Sequence, residues 1–272
     1  MTILGNRDKP REEGMPTVDF AIETRGLTRD FGALRAVDLL DLKVKAGSLY
    51  GFLGRNGAGK STTIKMLTGI LEPSRGEMFL LGTDLSDTAA ALAVRRRTGV
   101  VPEDMALFEL LTGREYLAFV GRIYLLSEDI LASRIEELLS VLELGAGHSQ
   151  LVLEYSHGMR KKLALAAALL PDPDILFLDE PFEGVDAVAS RIMRDILRSH
   201  VNRGSTVFVT SHVLDVVERL CTDVGIIHNG RLVFEGPLAS MGGKSLEDVF
   251  LELVGSTEDT RSGLSWLTED DR

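Results

Sequence analysis

The chain has 272 residues, 44% of them apolar and 26% charged, enough for one large domain with a buried core. A formal charge of −11 argues against a broad basic face for nucleic-acid backbones, and the single cysteine, Cys221, excludes an internal disulfide. No run approaches the roughly 20 apolar residues of a membrane span and no hydrophobic signal core opens the chain, so a cytosolic polypeptide is expected.

In chain order, residues 1–16 mix Gly, Pro and alternating charges and read as a flexible tail. Phe20 to Leu27 and Leu40 to Lys45 alternate apolar with polar, the pattern of half-buried antiparallel strands. Leu49 to Leu53 is an apolar run that leads directly into Gly54-Arg55-Asn56-Gly57-Ala58-Gly59-Lys60-Ser61-Thr62, a complete P-loop. A strand ending in a glycine-rich turn and opening a helix aims backbone N–H groups and the positive helix end at one anion. Gly57 and Gly59 allow the tight turn, Lys60 reaches the β/γ-phosphates, and the Ser61 hydroxyl can ligate Mg²⁺. Ile64 and Leu67 give the following helix an apolar side for packing on a sheet. Gly76 to Gly82 reads as another short strand.

From about Asp87 to Leu170 the pattern becomes helical. Ile135, Leu138, Leu139 and Leu142 fall at i, i+3, i+4 and i+7, and Tyr116 to Leu126 and Lys161 to Leu170 are further helices. Ile175 to Leu178 and Val207 to Thr210 are continuous apolar runs, as in parallel strands covered on both faces. Ser190 to His200 is the crossover helix between them. Val224 to Ile227 and Leu232 to Phe234 flank Asn229-Gly230, a hairpin signal. Cys221 reads as a small core residue, and 256–272 as an acidic tail. Arg95-Arg96-Arg97 and Arg160-Lys161-Lys162 read as solvated faces, and His148, His200 and His228 sit at no metal-ligand spacing.

A second string carries chemistry. In Ile175-Leu176-Phe177-Leu178-Asp179-Glu180, two carboxylates stand at the carboxyl end of a buried strand, where open α/β sheets hold ligands. Asp179 is placed to hold Mg²⁺ through water, and Glu180 to polarise an attacking water from the other side. An Asp-Glu pair simply opening a loop is the competing reading, and the upstream P-loop weighs against it.

With both strings in order, the chain from Val18 to Gly255 resembles the nucleotide-binding subunit of ATP-binding-cassette (ABC) transporters. The resemblance implies an α/β fold, a P-loop NTPase of ABC ATPase type: a mixed sheet core, an antiparallel β subdomain and an inserted helical subdomain near 87–170, all within one domain at 17–255. It implies ATP and Mg²⁺ as cofactors, with Lys60, Glu180 and His212 in catalysis. Phe31 matches the aromatic that stacks on adenine. Tyr155-Ser156-His157-Gly158-Met159 stands where the family usually has Leu-Ser-Gly-Gly-Gln. Ser156 and Gly158 match that motif and His157 departs from it; the loop completes the ATP site of a second copy. Glu103, after Val100-Val101-Pro102, replaces the usual metal-sensing glutamine. Asp186 matches the loop that communicates across the dimer, and His212 matches the histidine that contacts the γ-phosphate.

The implied partners are a second ATPase subunit, the same or different, and a separate integral membrane permease that holds the chain at the inner face of the membrane. An amphipathic permease helix would dock near Leu107 to Thr112. The closing segment Lys244 to Leu253 resembles the type-2 exporter branch, which moves drugs, antibiotics, polysaccharides or Na⁺. No nucleic acid is expected. Two alternatives are a soluble ABC ATPase acting on ribosomes or DNA, and a weakly hydrolysing regulatory module. A P-loop GTPase is disfavoured because no Asn-Lys-x-Asp or Thr-Lys-x-Asp motif reads guanine.

Overall fold

The computed structural model describes residues 18–145 and 150–255; the tails expected at 1–16 and 256–272, and His148, lie outside the described residues. The chain begins with two long strands, β1 (Phe20–Phe31) and β2 (Leu34–Lys45), paired antiparallel with Ile22 opposite Val44 and Leu27 opposite Leu40. Both run further than the alternation in the sequence marks, because cross-strand pairing carries them to the turn between Phe31 and Leu34. The P-loop strand β3 (Leu49–Leu53) and helix α1 (Lys60–Leu67) follow, then β4 (Arg75–Leu80) and the two-residue β5 (Thr83–Asp84).

Among the described residues of 87–170 lie four α-helices: α2 (Thr88–Arg95), α3 (Gly113–Ile123), α4 (Glu128–Val141) and α5 (His157–Leu169). Asp87 caps α2, and Thr112 with Glu115 forms a reciprocal capping box at α3, which sets where these helices begin. The same span also holds a strand, β6 (Thr98–Val101), that the helical periodicity does not mark. The remainder alternates: β7 (Ile175–Asp179), α6 (Ala187–Asn202), β8 (Thr206–Ser211), α7 (Leu214–Leu220), β9 (Asp223–His228), β10 (Arg231–Pro237) and α8 (Leu246–Val254).

Two sheets result. One is four-stranded in the order β2-β1-β4-β5; the other is six-stranded in the order β10-β9-β3-β8-β7-β6. In the larger sheet β9, β3, β8, β7 and β6 are parallel neighbours and only the β9–β10 hairpin is antiparallel. Asn229 and Gly230 make its two-residue turn with φ of 49° and 78°, the left-handed pair that such a turn requires.

Alternate residues of the central strands feed two apolar layers. Tyr50, Phe52, Phe177 and Phe208 face the layer shared with β1, β2, α1 and α2, and the Phe208 ring lies 5.3–5.7 Å from the other three. Leu49, Leu53, Leu176, Leu178, Val207 and Val209 face the layer built from α3 to α8. Cys221 is buried in that second layer, and its burial pushes the thiol pKa well up. The sheet is thus covered on both sides, so the polar ends of β3, β7 and β8 become the place where chemistry can sit.

Candidate nucleotide-binding site

The loop between β3 and α1 is shaped by its glycines. Gly59 lies at φ 112°, and a Cβ there would stand 2.6 Å from the Ala36 carbonyl oxygen, so only glycine fits. Arg55, Asn56 and Gly57 are exposed, while Gly54, Ala58, Gly59 and Lys60 are buried and Ser61 and Thr62 half-buried. Lys60, the first residue of α1, folds its ammonium back over the loop and donates to the Gly54 carbonyl at 2.8 Å. The same Nζ lies 3.2 Å from Glu180 Oε1, an ion pair between two side chains of 5–6% exposure.

Asp179 ends β7 and Glu180 follows it, both buried. Glu180 sits at φ 48°, a left-handed conformation that costs a non-glycine residue about 1–2 kcal/mol. Its neighbours hold it there. The Glu180 N–H donates to Thr210 Oγ1 at 3.0 Å, and the Thr210 hydroxyl donates onward to Asp179 Oδ1 at 2.6 Å. Glu180 Oε2 accepts from the His212 N–H at 3.3 Å and stands 3.1 Å from His212 Nδ1. Glu180 Oε1 accepts no directed hydrogen bond among the described residues and faces only the Lys60 ammonium. A buried carboxylate oxygen in that condition is open to a further donor such as water.

Ser61 and Glu103 meet across the loop: the Ser61 hydroxyl donates to Glu103 Oε2 at 3.2 Å. Among the described residues no cluster of three or more His, Cys, Asp or Glu side chains is set to hold a metal by itself. The Ser61 hydroxyl and the Glu103 and Asp179 carboxylates are nevertheless hard oxygen ligands, a set that suits Mg²⁺ completed by phosphate oxygens.

The remaining expected residues lie further out. Ser156 caps α5 by accepting the Met159 N–H at 3.2 Å, and Ser156 and His157 are exposed. Gly158 has open space on its Cα, and the His157 imidazole stands against Gly184, where a Cβ would lie 2.8 Å from it. The His157 imidazole therefore rests against Gly184 of its own chain. Asp186 caps α6, accepting from the Val188 and Ala189 N–H groups at 2.9 Å each. Those bonds, the one from Ala189 above all, hold its carboxyl below the usual aspartate pKa, with Lys162 assisting. Phe31 ends β1 and is 44% exposed; the Arg29 guanidinium covers its ring at 4.6 Å and donates to the Glu72 carbonyl at 2.8 Å.

Two site residues escape a reading of the sequence. Thr210 looks there like one more strand residue, although a hydroxyl closing an apolar run at a strand's carboxyl end is the signal for it. Lys161 was expected on a solvated face; it is 1% exposed and donates to the Glu180 carbonyl at 2.8 Å. The correction follows from packing, since α5 lies against the acidic end of β7 and turns this part of the basic run inward, and Lys162 is buried with it. Arg160 is half-buried, pairing with Glu109 at 2.9 Å and donating to the Tyr155 and Leu153 carbonyls.

A family model described as "ABC transporter" matches residues 37–183, more than half of the chain. The chain belongs to the ABC transporter family. It is one of that family's ATP-binding cassettes, and its fold is theirs. It is 42% identical over 216 residues to the daunorubicin/doxorubicin resistance ATP-binding protein DrrA of Streptomyces peucetius, covering 79% of this chain and 65% of that one. It is 38% identical over 217 residues to the bacitracin transport ATP-binding protein BcrA of Bacillus licheniformis, covering 79% of this cassette and 69% of the relative. The chain thus spans about two thirds of the length of these curated relatives. Among solved structures, an ATP-binding subunit of an ABC transporter superposes with a TM-score of 0.79 at 31% identity, covering 86% of this chain and 99% of the other.

Proposed function

We propose that this ABC cassette hydrolyses ATP to drive export through a separate membrane permease. The observation that carries the reading is the Glu180 carboxylate held between Lys60 and His212 at 3.1–3.2 Å, at the mouth of a P-loop. Lys60 and the backbone N–H groups of Gly57 to Thr62 bind the triphosphate, and Phe31 offers a ring face to adenine. Glu180, with one oxygen free of directed bonds, orients the attacking water and takes its proton; His212 holds the other oxygen and contacts the γ-phosphate. Ser61, Asp179 and Glu103 would hold Mg²⁺, which supplies charge neutralisation at the β/γ-phosphate oxygens.

Two copies, alike or different, close head to tail over ATP. The exposed Ser156-His157-Gly158 segment at the positive end of α5 completes the partner's site, Asp186 lies at the seam, and hydrolysis reopens the pair. No helix among the described residues is long and apolar enough to cross a membrane, and in this reading a separate permease supplies the transport path. Phe108 and Phe119 are exposed and meet edge-on at 5.1 Å, and Leu110, in the segment leading into α3, is exposed as well. This apolar ledge suits an amphipathic permease helix at the inner membrane face. The names of the relatives, drug resistance and bacitracin transport, favour export.

The test is reconstitution of the chain with a candidate polytopic permease. Mg²⁺-dependent ATP hydrolysis stimulated by that protein supports the reading. Ribosomes or DNA co-purifying in its place would sink it.

A further inference from the structure

Lys161 is a buried lysine with no part in the reaction described above. At 1% exposure its ammonium must be compensated by fixed partners. Its directed bond is to the Glu180 carbonyl oxygen at 2.8 Å, and the carboxylates of Glu183, Glu103, Glu180 and Asp179 lie close enough to act on its charge. Burial draws its pKa below the usual lysine value, while those four carboxylates pull the other way. Glu180 needs such an anchor. Its backbone is left-handed at φ 48°, and that conformation persists in a non-glycine residue only where the surroundings over-determine it. Thr210 holds the N–H side of the residue and Lys161 holds the carbonyl side.

Lys161 also sits on α5 within two turns of Ser156, the cap of that helix. One helix, α5, thus links the 155–158 segment to the Glu180 carbonyl of the same chain.

We infer that Lys161 is a positioning residue that anchors the Glu180 backbone and ties the setting of its carboxylate to the nucleotide-facing segment 155–158. The inference rests on the reading in which Glu180 orients the attacking water. Lys161 acts through Glu180, whose carbonyl it holds.

The test compares Lys161→Met with Lys161→Gln in the full chain, each in the wild-type and Glu180→Gln backgrounds. Both remove the charge, and Gln keeps an N–H donor. Steady-state kcat and KM, single-turnover rate, binding of a fluorescent ATP analogue and melting temperature are measured. Lys161→Met is expected to lower kcat about tenfold while analogue affinity stays within about twofold, and Gln to recover part of the loss. In the Glu180→Gln background Met should slow the residual single turnover no further, although it lowers the melting temperature in both backgrounds. Equal losses for Met and Gln mean charge balance alone, and the inference falls. The same slowing in both backgrounds overturns it too, as does Met keeping kcat within about twofold of wild type. Should Met not fold, Gln decides by the same comparison of backgrounds. A wild-type chain that turns over no ATP overturns the ATPase reading itself, and the inference with it.

Discussion

Thr210 Oγ1 donates to Asp179 Oδ1 at 2.6 Å while accepting the Glu180 N–H at 3.0 Å, so one buried hydroxyl orients both acidic residues of the site. Thr210→Val keeps the shape and removes both bonds. Leaving those buried groups unpartnered should cost about 1–3 kcal/mol of stability, read by urea unfolding. Turnover should fall while Thr210→Ser recovers most of both. Normal ATPase activity in the valine variant would free the hydroxyl of any role in positioning.

Glu180→Gln removes the charge facing Lys60 and the capacity to take a proton from water. ATP binding should survive, with kcat lower by about 10²–10³, the scale of losing one well-placed electrostatic group. Because ATP would then bind without being consumed, a nucleotide-dependent dimer should accumulate on gel filtration. Hydrolysis at the wild-type rate would dismiss the water-orienting role.

Lys60 serves the loop carbonyls of Gly54 and Arg55 and the Glu180 carboxylate. Lys60→Ala should weaken ATP binding in calorimetry by at least an order of magnitude and should also leave Glu180 as a buried uncompensated charge. The double variant with Glu180→Gln should therefore melt higher than Lys60→Ala alone. Unaltered ATP affinity in Lys60→Ala would contradict the assignment of the loop.

Asp186 gives a pH dependence with a definite sign. Its folded pKa lies below the ordinary value of 3.8, chiefly through the Ala189 N–H bond. The cap on α6 therefore contributes fully above that value and is lost as pH falls through the folded pKa. The gap in melting temperature between wild type and Asp186→Ala should be constant from pH 7 to 5 and should shrink below pH 4. A gap that widens in acid would mean that the carboxylate is not the stabilising form.

Much of the molecule is legible locally. The P-loop needs only its own nine residues, because Gly57 and Gly59 set the turn and Lys60 opens the helix whatever lies around them. The Asn229-Gly230 turn fixes its hairpin in the same way, through two left-handed residues. The apolar runs of β7 and β8 announce burial on both faces, and that places Asp179 and Glu180 at a strand's carboxyl end.

Other features have no local mark. Strand β6 is four residues long and exists through its parallel pairing with β7, Thr98 opposite Ile175 and Val101 opposite Leu178. Glu103 follows that strand, which is how it reaches Ser61. His157 reads as an oddity in the chain and becomes a contact with Gly184 only when α5 docks.

The amino-acid order alone determined the phosphate-binding loop, the paired carboxylates and the alternation of strands and helices, since each depends on dihedral preference and periodicity over a few neighbouring residues. Only the tertiary structure decided which charges are buried and what they face. Lys161 and Glu180 are 19 residues apart, and nothing in either segment states that one will hold the carbonyl of the other. Compensation of a buried charge depends on groups brought from distant parts of the chain, and that meeting is made by packing.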